Sequence, residues 1–250
     1  MRVLITGAAG RIGQEAVEEL SGDYELCLLD RRPVPGKQSI IADLAQPGIS
    51  PGWKRWLQPR AARWANYFAG ADVVLHLAAN ASPDAPWPLV LRDNIQATWN
   101  VLEAAVQHQV RRVIFASSNW AVKALERTLA PACYRPDGPK IGSDAPPHPL
   151  TPYGVSKAAG ELAGRMFVDE RRLQSFLAAR LGAYRPTPLQ DGEYPPLWIG
   201  TADLRSLLRR CIEAEFVGFH IVYGVSSQPI APYDLSYTCR LLAWRPQQSL

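Results

Sequence analysis

Arg2-Val3-Leu4-Ile5-Thr6-Gly7-Ala8-Ala9-Gly10-Arg11-Ile12-Gly13 opens the chain, and it decides how the rest is read. A β-branched apolar run ends in three glycines spaced by two residues, and an amphipathic helical pattern follows from position 12 to 20. Glycine at such a corner permits a tight turn and close backbone approach, and it leaves a helix N-terminus facing an anion. The apolar run at 25–30 ends in Asp30, where a second strand of a dinucleotide-binding unit carries the carboxylate that holds the adenosine ribose hydroxyls. The pattern therefore predicts a pyrophosphate seat built on Gly7, Gly10, Arg11, Ile12 and Gly13. Asp30 favours NAD, because a carboxylate repels a 2′-phosphate. Arg31 and Arg32 beside it keep NADP as the alternative.

Working outward, short apolar runs alternate with helical patterns. Strands are expected at 2–6, 25–30, 72–78, 112–117 and 175–181, and helices at 12–20, 61–68, 89–109 and 151–172. This alternation predicts an α/β fold, a Rossmann-type doubly wound parallel sheet. Val73-Val74-Leu75 and Val113-Ile114-Phe115 are the continuous apolar runs expected of strands buried on both faces. Two Pro-rich stretches interrupt the pattern. The one at 47–59 carries Trp53 and Trp56, the one at 130–152 holds seven prolines, and both read as ordered surface loops. After Leu181 the alternation weakens, with a helix expected at 202–214, a strand at 218–223 and a last helix at 233–242. The organisation expected is a dinucleotide-binding unit with the catalytic residues at 1–182 and a small C-terminal substrate lobe at 183–250, not independently folded.

Composition excludes several classes. Of the 250 residues 47% are hydrophobic and 20% charged, as in ordinary globular proteins. No apolar stretch reaches the roughly 18 residues of a membrane span, and no leader pattern precedes Val3, so a cytoplasmic location is expected. The net charge of +4 comes from arginines scattered in small groups rather than from a basic stripe, which argues against nucleic acid. Four scattered cysteines and four histidines lack metal-ligand spacing, so no metal is expected.

Tyr153-Gly154-Val155-Ser156-Lys157 places a phenol and an ammonium four apart on a helix, hence on one face. The ammonium, together with the positive nicotinamide ring, favours the phenolate, which makes Tyr153 a candidate general base. Ser117-Ser118-Asn119 ends the strand where side chains of open α/β sheets collect. Ser118 is the favoured partner of Tyr153, with Ser117 as the alternative.

The GxxGxxG turn, the Tyr153–Lys157 motif and the serine pair together resemble the extended short-chain dehydrogenase/reductases, of the NAD-dependent epimerase/dehydratase family. The resemblance implies Ser118, Tyr153 and Lys157 as catalytic residues, with Lys157 also binding the nicotinamide ribose. It implies Asp43 and Leu44 beside adenine, and Leu77, Ala78 and Ala79 along the adenosine ribose. Asn94 matches an asparagine of the fourth helix that is either structural or part of a water relay. The chain looks most like the uronate dehydrogenases, on stretches that include Phe115-Ala116-Ser117-Ser118-Asn119, Arg180-Leu181-Gly182 and Val222-Tyr223-Gly224-Val225-Ser226. That likeness implies Ser82, Ser118, Asn119 and Tyr153 as substrate contacts. Trp120 stands where that family has histidine, Ala183 where it has serine, and Glu193 near the expected carboxylate-binding arginine, with Arg185 close by. The substrate implied is a small polyhydroxylated molecule, a free sugar or sugar acid other than a plain hexuronate. Only 93 residues follow Lys157, few for a lobe that grips a nucleotide-sugar. The alternatives are an epimerase or dehydratase of nucleotide-sugars, and a dinucleotide-binding module without turnover. Thirty-five positions separate Ser118 from Tyr153, so the Pro-rich insertion should lie beside the active site, as a lid or a surface loop. Trp99 and Met166 or Phe167 supply apolar surface for a homodimer or for the chain's own core.

Overall fold

A computed structural model describes residues 1–47, 60–187, 195–226 and 229–248. Most of the first Pro-rich stretch, with Trp53 and Trp56, and Glu193 lie outside the described residues. The strands are β1 (Arg2–Thr6), β2 (Glu25–Asp30), β3 (Ile40–Ile41), β4 (Val73–His76), β5 (Arg112–Ser118), β6 (Ser175–Leu181), β7 (Ala183–Tyr184), β8 (Trp198–Ile199) and β9 (Gly218–Gly224). Seven of them form one sheet in the order β3-β2-β1-β4-β5-β6-β9, and every pairing is parallel. This is the doubly wound arrangement expected from the sequence.

Alternation along each strand builds two cores. Val3, Ile5, Val73, Leu75, Ile114 and Leu177 belong to one apolar cluster, while Leu4, Val74, Val113, Phe115 and Phe176 belong to the other. Successive side chains of a strand point to opposite faces, so burying both faces requires helices on both. On the first face lie α1 (Arg11–Leu20) and α6 (Thr201–Glu213), both contributing to that cluster. They are also bridged by Glu15–Arg205 and Glu19–Arg209 ion pairs at 2.7 and 2.6 Å.

The second face carries a long helix that runs as α2 (Trp87–Val90), a π-helical turn (Leu91–Gln96) and α3 (Ala97–Gln107). Beside it lies α5 (Pro152–Asp169), whose N-cap Thr151 accepts the Gly154 N–H at 3.1 Å. Gly160 and Gly164 let α5 settle onto the sheet, since a Cβ at either would lie 2.4 Å from the Phe115 or Phe176 ring.

Four expectations are sharpened. The stretch at 89–109 is one helix only in outline, because π-helical geometry interrupts it at 91–96. The residues after Leu181 give the main sheet its seventh strand, β9, and a two-stranded β7–β8 ladder. The last helix, α7 (Ser236–Leu242), starts three residues later than expected, because Asp234 turns the chain by accepting the Ser236 N–H at 2.8 Å. The second Pro-rich stretch is anchored rather than draped. It follows α4 (Lys123–Leu129) and contains a 3-10 turn at Ala132–Tyr134, with Cys133 and Ile141 buried. Lys140 Nζ donates to the carbonyls of Cys133, Arg135, Pro229 and Ala231 at 2.8–3.2 Å.

Trp99 is 42% exposed, with its edge on the buried Phe167 ring at 5.2 Å. Among the described residues no helix is long and apolar enough to cross a membrane.

Candidate active site

The glycine turn adopts the shape its residues allow. Gly7 has φ +72° and donates to the Leu29 carbonyl at 2.9 Å, a left-handed conformation natural to glycine. Gly13 packs so closely that a Cβ would meet the Gly7 oxygen at 2.1 Å. Helix α1 begins at Arg11 with no side-chain cap and no acidic residue in its first turn. Its free N–H groups and positive dipole end therefore remain available to an anion.

Two cavities meet at this turn. The first, about 410 Å³, is lined among others by Gly7, Gly10, Asp30, Arg31, Leu44, Leu77, Ala78 and Ala79. Asp30 is fixed in its wall, accepting the Ala9 N–H at 2.9 Å and the Arg32 N–H at 3.0 Å. Arg31 is not free to meet a phosphate, since its guanidinium holds Asp93 at 2.5 Å and Asp43 at 3.0 Å. Arg92 pairs with the same two carboxylates. Hydrogen bonds from Arg31 pull the Asp93 carboxyl below its usual range. Arg31, Arg92, Asp43 and Asp93 are thus paired among themselves at this mouth, and Arg32 lines the same cavity. Asn94 lies behind the wall, accepting the Asn80 N–H at 2.7 Å and donating to the Asn80 carbonyl and to Ser156 Oγ.

The second cavity, about 390 Å³, has Gly7, Gly10, Arg11, Ile12 and Gly13 on one side and Ser118, Asn119, Trp120 and Tyr153 on the other. Topology brings these together. Ser118 ends β5, where its Oγ accepts the Trp120 N–H at 3.3 Å and caps a 3-10 turn. Tyr153 rises from the first turn of α5 and forms a hydrogen bond with Ser118. Ser117 points the other way, donating to Glu161 Oε1 at 2.5 Å, so of the two serines only Ser118 faces the cavity. Lys157 is 4% exposed and lies beneath Tyr153, its ammonium 5.5 Å from the phenol ring centre and donating to the Ala116 carbonyl at 2.7 Å.

Burial pulls the Lys157 ammonium down to about 8, opposed by Glu161. Burial also raises the Tyr153 phenol, against the Ser118 hydrogen bond that lowers it. The chain's own groups therefore leave Tyr153 protonated at neutral pH. The phenolate expected from the Tyr-Lys spacing needs a further positive charge in the cavity.

The sequence also pointed to Ser82, which is exposed; its hydroxyl accepts the Asp84 N–H at 3.3 Å while neighbours Ala81 and Pro83 line the cavity. Lys123, Tyr184 and Leu197 line the cavity too, and like Ala81 and Pro83 they carried no motif. Ala183 and Arg185, noticed only as departures from a pattern, line it as well. Behind the site Glu161 and Arg180 form a buried bidentate pair at 2.8 and 2.9 Å. Arg180 also donates to the Tyr223 hydroxyl at 3.0 Å.

The model of the NAD dependent epimerase/dehydratase family matches residues 3–181. The chain belongs to that family. It is 34% identical to the NAD-dependent glucose-6-phosphate dehydrogenase of Haloferax volcanii, over 99% of this chain and 93% of the relative. It is 30% identical to the L-arabinose 1-dehydrogenase (NAD(P)(+)) of the same organism, over 99% and 97%. The crystal structure of uronate dehydrogenase from Agrobacterium tumefaciens superposes with a TM-score of 0.76 at 30% identity, covering 99% of this chain and 85% of the other. These family members are named for three different sugars.

Proposed function

We propose that the chain is an NAD-dependent dehydrogenase that oxidises a hydroxyl of a small, free sugar or sugar derivative. The observation that carries this reading is one cavity shared by the uncapped N-terminus of α1 and by Ser118 and Tyr153. The residues present fit NAD. The N–H groups of Arg11 and Ile12 would hold the pyrophosphate, and Asp30 the adenosine ribose. Leu44 and Leu77 to Ala79 would line the adenosine half, and Lys157 would bind the nicotinamide ribose. When bound, NAD would supply the two-electron acceptor and a positive ring beside the phenol.

In this reading Tyr153 Oη takes the substrate hydroxyl proton, and Ser118 Oγ and Asn119 orient the reacting oxygen. Trp120 narrows the space that a larger substrate would need. Residues 183–250 act as the substrate-facing segment through Ala183, Tyr184 and Arg185. All four cysteines are free, in accord with a cytoplasmic setting. Leu162 and Trp99 are 62% and 42% exposed on α5 and α3, and we include a homodimer through these helices in the proposal, checked by sedimentation at equilibrium.

The activity test is NADH formation over a panel of free aldoses, uronic acids and sugar phosphates. Turnover of at least one, abolished in Tyr153→Phe with NAD binding retained, is expected. Tight NAD binding with no turnover across the panel would refute the reading.

A further inference from the structure

The charged side chains on the wall of the second cavity are Arg11, Lys123 and Arg185, and among the described residues no carboxylate lines it. Other cavities of the chain mix the two signs. The adenosine-side cavity sets Asp30 and Asp93 beside Arg31 and Arg32. A cavity of about 640 Å³ along β9 and α7 sets Asp144 and Asp234 against Arg165 and Arg240. The all-cationic wall is therefore a property of the catalytic cavity, not a reflection of the net charge of +4.

The three cations belong to two ends. Arg11 begins α1, on the side where the cofactor's pyrophosphate would sit. Lys123 follows the 3-10 turn that leads out of Ser118, and its ammonium lies 5.6 Å from the Trp120 ring centre. The chain around it is pinned by His148, whose N–H donates to the Ala121 carbonyl at 2.7 Å and whose carbonyl accepts the Ala124 N–H at 2.9 Å. Arg185 follows β7, its N–H donating to the Ile199 carbonyl at 3.3 Å and its carbonyl accepting the Trp198 Nε1–H at 2.9 Å. The Arg185 side chain is exposed and forms no ion pair among the described residues. Lys123 does hold Glu126, but that carboxylate also accepts the Tyr134 and Tyr233 hydroxyls at 2.6 Å each. An ammonium has three protons, so Lys123 can meet a second anion without releasing Glu126. Glu15, behind Tyr184, is matched by Arg205 at 2.7 Å.

We propose that Lys123 and Arg185 are specificity-determining residues that seat an anionic group, a phosphate or a carboxylate, on the sugar whose hydroxyl Tyr153 deprotonates. The inference rests on the dehydrogenase reading and narrows its substrate to a charged sugar. Arg185 offers the fork of parallel donors that fits either anion, and Lys123 a point charge. Neither belongs to the Ser118–Tyr153 pair, so both hold the anion equally before and during the reaction. Uniform binding of this kind acts on KM more than on kcat.

The experiment is calorimetry on the protein loaded with NADH, so that the cofactor's own phosphates occupy the α1 N-terminus. The ligands are aldoses, each compared with its 6-phosphate and its uronic acid. In at least one set a charged member should bind tighter than the neutral one by about tenfold or more, the worth of one hydrogen bond to a charged group. The member that wins tells phosphate from carboxylate. Arg185→Met and Lys123→Met should each remove about tenfold of that preference, and Arg185→Lys should keep part of it. Arg185 is exposed, so Arg185→Met decides the matter even where Lys123→Met fails to fold. A preference absent from every set, or undiminished in Arg185→Met, would overturn the proposal. Anion-selective binding without NADH formation from NAD would sink the dehydrogenase reading and leave the anion seat standing. NADH formed from a neutral aldose as readily as from its charged partners would do the reverse.

Discussion

Replacing Arg180 by Met tests what holds β6 in register with the helix that carries Tyr153. Arg180 and Glu161 side chains are 0% and 2% exposed, and the pair joins β6 to α5. Arg180→Met deletes the bidentate contact and the donors to Ala145 and Tyr223. Glu161 is left buried with only Ser117 on its oxygen. Orphaning one member of a buried pair costs about 3–5 kcal/mol. For a domain of this size roughly 2–4 °C of Tm accompanies each kcal/mol, so a fall of roughly 10 °C is expected by calorimetry. The double variant Arg180→Met, Glu161→Leu should recover more than half of the loss, because it removes the stranded charge along with its partner. A Tm fall of only a degree or two in Arg180→Met would refute this reasoning. So would a double variant as unstable as the sum of the singles, since the cost would then lie in packing and not in an unpaired charge.

Lys157 gives a pH test. Its ammonium titrates near 8 in the folded chain against an ordinary 10.5, so between those values the unfolded chain binds more protons and stability rises with pH. The rise amounts to roughly 3 kcal/mol. In urea unfolding it should appear as the wild type gaining on Lys157→Met from pH 8 to 10.5, and a constant difference would count against a buried ammonium. Gly13→Ala places a Cβ 2.1 Å from the Gly7 oxygen, a backbone clash costing about 1–3 kcal/mol. NAD affinity by calorimetry should drop at least tenfold, and retained binding would mean the turn is not the seat. Asp30→Asn should weaken NAD binding by roughly tenfold without creating NADP binding, because Arg31 stays engaged with Asp93 and Asp43. A strong gain in NADP affinity would show that Arg31 is free.

Local chemistry made part of this molecule readable in advance. The glycine turn, Asp30, Ser118, Tyr153 and Lys157 are legible because each depends on neighbours within a few residues and on where strands end. The strand end favours Ser118 over Ser117, but what separates the two in the structure is the side of β5 that faces Glu161, 44 positions away from Ser117. Glu126 and Tyr233 meet across 107 positions, and no spacing rule links them. Strand β3 has two residues, too few for an alternating pattern. The π-helical turn at 91–96 is invisible to apolar periodicity, since it shifts the ladder by a single residue. The strand expected at 218–223 carries no local sign that it joins the main sheet, since Gly218 to Ile221 are only half-buried at the sheet edge.

Lys140 behaves here as a bound ion more than as a side chain. Its ammonium sits among four backbone carbonyls, two from the Pro-rich insertion and two from residues 229 and 231. A cage of carbonyl oxygens is how proteins coordinate potassium, and here the cation comes tethered to the chain. Its occupancy is thus independent of the salt outside. The junction between the insertion and the C-terminal segment should keep its shape across monovalent cation concentrations that would fill or empty an untethered site.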